Sequence, residues 1–120
     1  MTEYKKHLSE PWFSLIKLGI KKCEGRLNKG DFAQMKKGDT IIFENNDFGF
    51  IREYRVKVTS VHYYQSFEQY LSIETLNKCL PGIDSIEKGV SIYRKYYSKE
   101  DEDKIKDKYK IVAIRIKVCK

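Results

Sequence analysis

The sequence has few of the residues that mark disulfide-stabilised or metal-binding proteins. It contains three cysteines in 120 residues, at Cys23, Cys79 and Cys119. They are odd in number, far apart and without a C-x-x-C pair, which argues against a disulfide framework or a zinc site. Buried thiols are therefore expected. The two histidines, His7 and His62, show no metal-ligand spacing, so we predict neither a metal nor a cofactor.

Long apolar runs and linkers are also missing. No uninterrupted apolar segment approaches the roughly 20 residues that a membrane-spanning helix needs. The first residues, MTEYKKHLSEPWF, lack the apolar region and cleavage site of a signal peptide. No repeat, low-complexity tract or linker rich in Gly, Ser and Pro divides the chain. We therefore expect a single domain over residues 1–120, a monomer in the cytoplasm or the nucleus, with no membrane association.

Positive charge is what the composition has in excess. The 24 Lys and Arg residues outnumber the 17 Asp and Glu residues, and the formal net charge is +7 at pH 7. The lysines are spread along the chain, which favours a folded basic face over a flexible arm. Such an excess favours an anionic partner, and RNA or a nucleotide-like ligand is the first candidate. The apolar content of 41% argues against disorder.

Strand patterns alternate with short helical patterns. Alternation and turn signals predict strands over 4–9, 21–27, 40–44, 50–64 and 110–120, and capping and spacing predict helices over 11–19, 67–80 and 85–97. The long strand over 50–64 is expected to bend through a bulge, and the charged segment over 98–109 is expected to be a loop. This order predicts an α+β fold: a small, mixed, mostly antiparallel, partly closed barrel of five to six strands with short helices at its rim.

One short stretch, GIKKCEGRLN at residues 19–28, has a concentration of charge that suggests a site. In a strand, Lys22, Glu24 and Arg26 share one face. Together with Lys21 they are suited to a phosphate and a base edge, since Arg offers a planar fork and Glu accepts from exocyclic amines. The alternative is an exposed strand with a weak ion pair worth about 0–1 kcal/mol.

A second candidate is the segment YRKYYSK at residues 93–99. Aromatic side chains interleaved with Arg and Lys are typical of single-strand binding, which combines stacking with charge. We expect at least one of the tyrosines in the core, and Tyr97 and Ser98 at the helix end to face a cleft. Trp12 either packs the first helix onto the barrel or lines that cleft.

Three ordered segments resemble the ASCH (activating signal cointegrator homology) domain family. The first is HLSEPWFSLIKLGIKKCEGRLN, with the pattern Gly-x-Lys-x-x-Glu-x-Arg at Gly19, Lys21, Glu24 and Arg26. The others are KKGDTIIF, and IYRKYYSKEDEDK before the final strand IVAIRI. The resemblance implies a PUA-like barrel with a cleft beside the first helix, and a function in binding RNA or other nucleic acids, in RNA processing or in transcriptional or translational regulation.

The resemblance leaves an enzyme as the alternative. One branch of the family hydrolyses an acylated cytidine nucleoside with a lysine and a threonine of this strand and a distant glutamate. Lys21 occupies the lysine position, but Glu24 stands at the threonine position, so that nucleophile is missing. A small hydrolase acting on RNA or a modified nucleoside would then use Lys21 and Glu24, with Glu24 as general base. A protein-interaction domain is the third class, and it would require an exposed apolar patch.

Overall fold

The computed structural model describes residues 1–119, and the last residue of the predicted final strand, Lys120, lies outside the described residues. The elements follow one another as β1 (Glu3–His7), α1 (Trp12–Lys17), β2 (Cys23–Leu27), a 3-10 helix (Gly30–Gln34), β3 (Thr40–Asn45), β4 (Arg52–Tyr64), α2 (Phe67–Glu74), α3 (Leu76–Cys79), α4 (Ile86–Arg94), α5 (Lys99–Asp103) and β5 (Ile111–Val118).

The five strands form one mixed sheet in the order β1-β3-β4-β5-β2. β1 runs parallel to β3, and the other neighbours are antiparallel. β1 and β2 are the two edges and do not pair with each other along residues 1–119. The α+β class and the mostly antiparallel sheet are therefore confirmed, but the sheet is an open half-barrel and not a closed barrel. At the gap a side chain bridges the edges, because Arg26 Nη2 donates to the His7 carbonyl at 3.4 Å.

The curvature of the half-barrel comes from the long strand β4. Its register against β5 shifts between Val58 and Ser60, which confirms the predicted bulge. Val56 and Val58 point into the half-barrel before the bulge, and Val61 packs against the same cluster after it. The extra residue, Thr59, therefore lets one strand pair with β3 at its start and with β5 over most of its length.

Apolar residues pack on both faces of the sheet. One cluster fills the half-barrel and includes Val112 and Ile114 of β5. The other lies between the sheet and helices α2 to α4 and includes Ile111 and Ala113 of the same strand. The alternation predicted for β5 is correct, but its second face is covered as well, because the helices pack over the first half of the strand.

Two helical predictions need correction. The helix expected over 67–80 is split at Thr75, whose φ of 77° no α-helix accommodates, into α2 and α3. The segment over 98–109, expected to be a loop, begins with helix α5. That short helix is stabilised by Glu102, which is buried and pairs with Arg94 at 3.0 Å and with Lys99 at 2.6 Å.

Candidate functional site

A cavity of about 220 Å³ lies at the gap between the edge strands β1 and β2. Its lining comes from the end of β1, the start of α1, β2, and the end of α4. We call it the cleft. Its lining residues include Trp12, Lys21, Glu24, Arg26 and Tyr97, together with His7, Ser9, Gly25, Tyr93 and Tyr96. The cleft exists because the sheet does not close, so the free edge of β2 faces it.

Lys21 lies in the loop before β2 and is only 2% exposed. Its Nζ donates to the Cys23 carbonyl at 2.6 Å and to the Cys79 carbonyl, and it lies 3.3 Å from Glu24 Oε1. An ammonium group has three hydrogens, and all three have protein acceptors here. Lys21 therefore joins the end of α3 to β2 and holds Glu24, with no donor left for a ligand.

Glu24 is buried between two cations. Its Oε2 accepts from Arg26 Nε at 3.0 Å and from Arg26 Nη2 at 2.9 Å, while Oε1 faces Lys21. Burial acts to raise the pKa of Glu24, but Arg26 and then Lys21 outweigh it and hold the pKa below its ordinary value. The carboxylate stays ionised and keeps one of its roughly four acceptor positions free.

Arg26 is the charged group of this cluster that retains an exposed surface. Its side chain is 20% exposed, and its guanidinium carbon lies 4.5 Å from the centre of the Phe32 ring. Burial acts to lower the pKa of Arg26, but the Glu24 carboxylate and Tyr97 raise it overall. The guanidinium is therefore a fixed cation, held in orientation by Glu24 on one side and by an aromatic face on another.

Aromatic side chains form the walls of the cleft. Trp12 is half-buried, with Lys21 Nζ 5.8 Å from its ring centre. Tyr93 is in the core, stacked on Phe67 at 4.6 Å, which confirms that one tyrosine of the segment is a core residue. Tyr97 is half-buried, and burial raises the pKa of its hydroxyl although Arg26 opposes this. The walls therefore place aromatic rings beside the Glu24 and Arg26 charges.

The structure brings five of the six predicted site residues to the cleft: Trp12, Lys21, Glu24, Arg26 and Tyr97. Ser98 is not among them. Its side chain accepts from the Asp101 amide at 3.0 Å and caps α5. The S-x-x-D spacing that starts a helix was the signal for this role.

One further expectation about the charged stretch was wrong, and the alternative reading of the stretch is not found. Lys22 does not share the face of Glu24 and Arg26, because β2 begins at Cys23 and Lys22 precedes it on the surface. The exposed, weakly paired strand that we held as the alternative is not found, because Lys21 and Glu24 are both buried.

Sequence reasoning missed several cleft residues. His7 and Ser9 reach the cleft only because β1 pairs with the distant β3, and no local pattern signals this. Tyr96 is 57% exposed, and its hydroxyl lies 3.2 Å from Ser9 Oγ across the mouth of the cleft. Tyr96 belongs to the YRKYYSK segment, so the segment was found but not this residue.

A second concavity of about 710 Å³ lies on the other side of Lys21. We call it the groove and define it by Lys17, Lys22, Lys78, Arg115 and Lys117 at its surface. Its floor holds Glu74, which accepts from Arg115 Nε at 2.8 Å and Nη2 at 3.1 Å. Burial acts to raise the pKa of Glu74, but the Arg115 and Tyr64 hydrogen bonds lower it overall. Glu74 is therefore a fixed anion matched by Arg115.

Within residues 1–119, no set of three or more His, Cys, Asp or Glu side chains is arranged to hold a metal ion. Among the helices described, none has the length and apolar character required to cross a membrane.

The open mixed sheet, its short helices and its cleft at the edge define an α+β, PUA-like half-barrel. The ASCH domain profile matches residues 7–119. The chain therefore belongs to the ASCH domain family. No curated protein matches the sequence.

Solved structures share the fold of this chain. The chain is similar to the crystal structure of hypothetical protein PH0355, with 40% identity and a TM-score of 0.83 over 99% of this chain and 100% of the other. It is similar to the solution structure of protein PF0455 from Pyrococcus furiosus, with 38% identity and a TM-score of 0.75 over 100% and 99%. An ASCH domain from Lactobacillus crispatus JV V101 shares the fold, with 18% identity and a TM-score of 0.70 over 98% of this chain and 79% of the other.

Proposed function

We propose that this ASCH domain binds single-stranded RNA, or a nucleotide derived from it, by accepting one base in the cleft. The observation that carries the proposal is the buried pairing of Glu24 with Arg26, at 2.9 and 3.0 Å, inside a cavity walled by aromatic rings. Such a pair offers an acceptor and a donor side by side, which is what the edge of a base requires.

The size and shape of the cleft fit a single planar group. Its volume of about 220 Å³ is below the roughly 300–1,000 Å³ of pockets for drug-sized ligands. Trp12 and Tyr97 supply faces on which a base stacks, and stacking is tolerant of base identity. A base enters such a cavity only when it is unpaired, so the expected ligand is a single strand or a loop and not a duplex.

The charges of the cleft favour recognition. Arg26 keeps exposed surface and donates to a ring acceptor or a phosphate, while the free acceptor position of Glu24 takes an exocyclic amine. Both side chains are held by the protein before the ligand arrives, which reduces the entropy lost on binding. The net charge of +7 adds attraction for an anionic ligand at a distance.

The same geometry gives little support to hydrolysis by Lys21 and Glu24. The Lys21 donors are all engaged by the protein. The pKa of Glu24 is lowered, whereas a general base at neutral pH works best with a pKa near the working pH. Binding is therefore the function that the site supports best.

The test is the affinity for a labelled single-stranded RNA, measured by fluorescence anisotropy. Arg26→Ala should weaken binding by about tenfold to a hundredfold, the effect of losing a charged hydrogen bond of roughly 1.5–3 kcal/mol. Arg26→Lys should restore part of it, because a lysine keeps the charge but not the planar fork. Lys88→Ala is the matched control, since Lys88 pairs with Asp84 outside the cleft.

Thermal denaturation must accompany the binding measurement, because Arg26 also pairs with the buried Glu24. If Arg26→Ala is folded and binds RNA as tightly as Lys88→Ala, the proposal is wrong. A wild-type protein without measurable affinity for any single-stranded RNA would also end it.

A further inference from the structure

The groove contains an excess of positive charge that base binding in the cleft does not use. Besides Lys21, which is paired with Glu24, its lining includes five cationic side chains and a single carboxylate, that of Glu74. Since Glu74 is matched by Arg115 at 2.8 Å, it does not neutralise the lysines around it. The groove therefore has the strong positive potential that concave, like-charged surfaces produce.

Three lysines of the groove are exposed and, among the described residues, unpaired, so their ammonium groups are accessible to a ligand. Lys17, Lys22 and Lys78 are exposed, and within residues 1–119 none of them forms an ion pair with a carboxylate. This differs from the exposed Lys88 and Lys99, each of which pairs with a nearby acid.

The neighbouring sheet surface adds a like-charge contact. Lys117 of the groove lies directly opposite Lys57 in the register of β4 and β5. Like charges directly opposite each other on a sheet are destabilising. Lys57 Nζ donates to the Thr40 hydroxyl at 3.3 Å, and within residues 1–119 neither lysine forms an ion pair with a carboxylate. An anion bound at this point would remove the repulsion.

The groove and the cleft are neighbours. Lys21 lines both cavities, so they adjoin at its side chain, next to the segment over residues 17–22. This segment carries two exposed apolar side chains, Leu18 at 70% and Ile20 at 49% exposure. Leu18 lines the groove together with Lys17 and Lys22.

We propose that the groove binds the phosphodiester backbone of the same RNA strand whose base occupies the cleft, an inference that rests on the proposed function. Lysine suits this role because it is a mobile point charge that contacts phosphates without reading sequence. The cleft then selects a base, and the groove adds affinity that depends on strand length and salt.

The experiment compares two triple variants that remove the same charge. The groove triple is Lys17→Gln, Lys22→Gln and Lys78→Gln. The control triple is Lys36→Gln, Lys37→Gln and Lys106→Gln, whose lysines are equally exposed and line neither the cleft nor the groove. Both triples change exposed side chains, so both should keep the wild-type melting temperature.

The ligands are cytidine and adenosine monophosphates, and a mixed-sequence single-stranded RNA of about 12 nucleotides, within the usual single-strand site size. The groove triple should bind the monophosphates like the wild type. Its affinity for the longer RNA should fall. The plot of the logarithm of the binding constant against the logarithm of the salt concentration should also have a slope shallower by about 2. Each phosphate that a lysine no longer neutralises reduces this slope by about 0.7, and three lysines are removed. The control triple should keep the wild-type slope.

Arg26→Ala, measured with the same ligands, separates the two proposals. Suppose that Arg26→Ala loses monophosphate binding, but the groove triple and the control triple show the same salt dependence of binding to the longer RNA. The groove inference is then overturned, and the proposal of base binding in the cleft is retained. If Arg26→Ala binds the monophosphates like the wild type, the proposed function is overturned.

Discussion

The cleft and the groove hold positive charge in opposite ways, although they lie on the two sides of Lys21. In the cleft, Lys21 is buried, Arg26 is partly buried, and both are tied to Glu24 at 2.9 to 3.3 Å. In the groove, Lys17, Lys22 and Lys78 are exposed and have no acid partner within residues 1–119. The charges of the cleft are therefore fixed in orientation, whereas those of the groove are free to move.

This contrast has an energetic side. A buried ion pair gains little net stability when it forms, but removing one partner leaves an uncompensated charge in the interior. An exposed lysine contributes almost nothing to the stability of the fold. Substitutions in the two regions should therefore separate stability from binding.

The largest difference is expected between Glu24→Gln and Lys78→Gln. Glu24→Gln leaves Lys21 and Arg26 without their carboxylate and should lower the free energy of unfolding by about 3–5 kcal/mol. Lys78→Gln should change it by no more than about 0.5 kcal/mol. Denaturant unfolding measures both. Equal stabilities of the two variants would contradict the description of the cleft as a buried charge cluster.

A substitution in the wall of the cleft should come next. A Cβ at Gly25 would lie 2.3 Å from Tyr70 Cζ, and Tyr70 is itself hydrogen-bonded to Tyr93 at 2.9 Å. Gly25→Ala should therefore destabilise the protein by about 1–3 kcal/mol through overpacking. Thr59→Ala in the exposed lining of the groove is the matched comparison and should be close to neutral. A Gly25→Ala protein as stable as the wild type would show that this wall tolerates displacement.

These effects bear on how far the sequence alone predicts the molecule. The strand β4 and its bulge were predictable because alternation is local and a long strand must bend. The edge position of β1 was not predictable from the sequence. β1 pairs in parallel with β3 across more than thirty intervening residues, and no local pattern encodes that partner.

The candidate site shows the same limit. The spacing of Lys21, Glu24 and Arg26 pointed to a charged cluster, and the structure brings them together. Their burial was not predictable, since it depends on α3 supplying the Cys79 carbonyl and on α1 and α4 closing over β2. The groove was missed entirely, because its lysines come from α1, the loop before β2, α3 and β5.

The pH dependence of stability should distinguish the two regions to a smaller extent. The folded-state pKa of Glu24 lies below its ordinary value of 4.5. Its contribution to stability is therefore fully present above pH 4.5 and is lost as the pH falls through the folded-state pKa. Unfolding free energies measured from neutral to acid pH should fall less steeply for Glu24→Gln than for the wild type. The unfolding free energy of Lys78→Gln should depend on pH as that of the wild type does. If the unfolding free energy of Glu24→Gln also fell as steeply as that of the wild type, this prediction would be contradicted.

Thiol labelling should give the smallest effect and tests how closed the floor of the groove is. Cys23 lines the groove but is 1% exposed, and the hydrogen bond that its thiol donates to Cys79, together with burial, raises the pKa of that thiol. Cys79 is also buried, whereas Cys119 is exposed. Iodoacetamide should therefore modify Cys119 first in the native protein, and all three cysteines only after unfolding. Rapid native labelling of Cys23 would show that the groove floor opens.

The most direct test of the account uses Trp12, the single tryptophan of the sequence, which lines the cleft. Its fluorescence should be measured during titration with a short single-stranded RNA. If a base stacks in the cleft, the wild type and Lys88→Ala should show a saturable change in Trp12 fluorescence, and a folded Arg26→Ala should lose most of it. RNA binding, detected by anisotropy in the same samples, without any change in Trp12 fluorescence would place the ligand elsewhere and contradict the account.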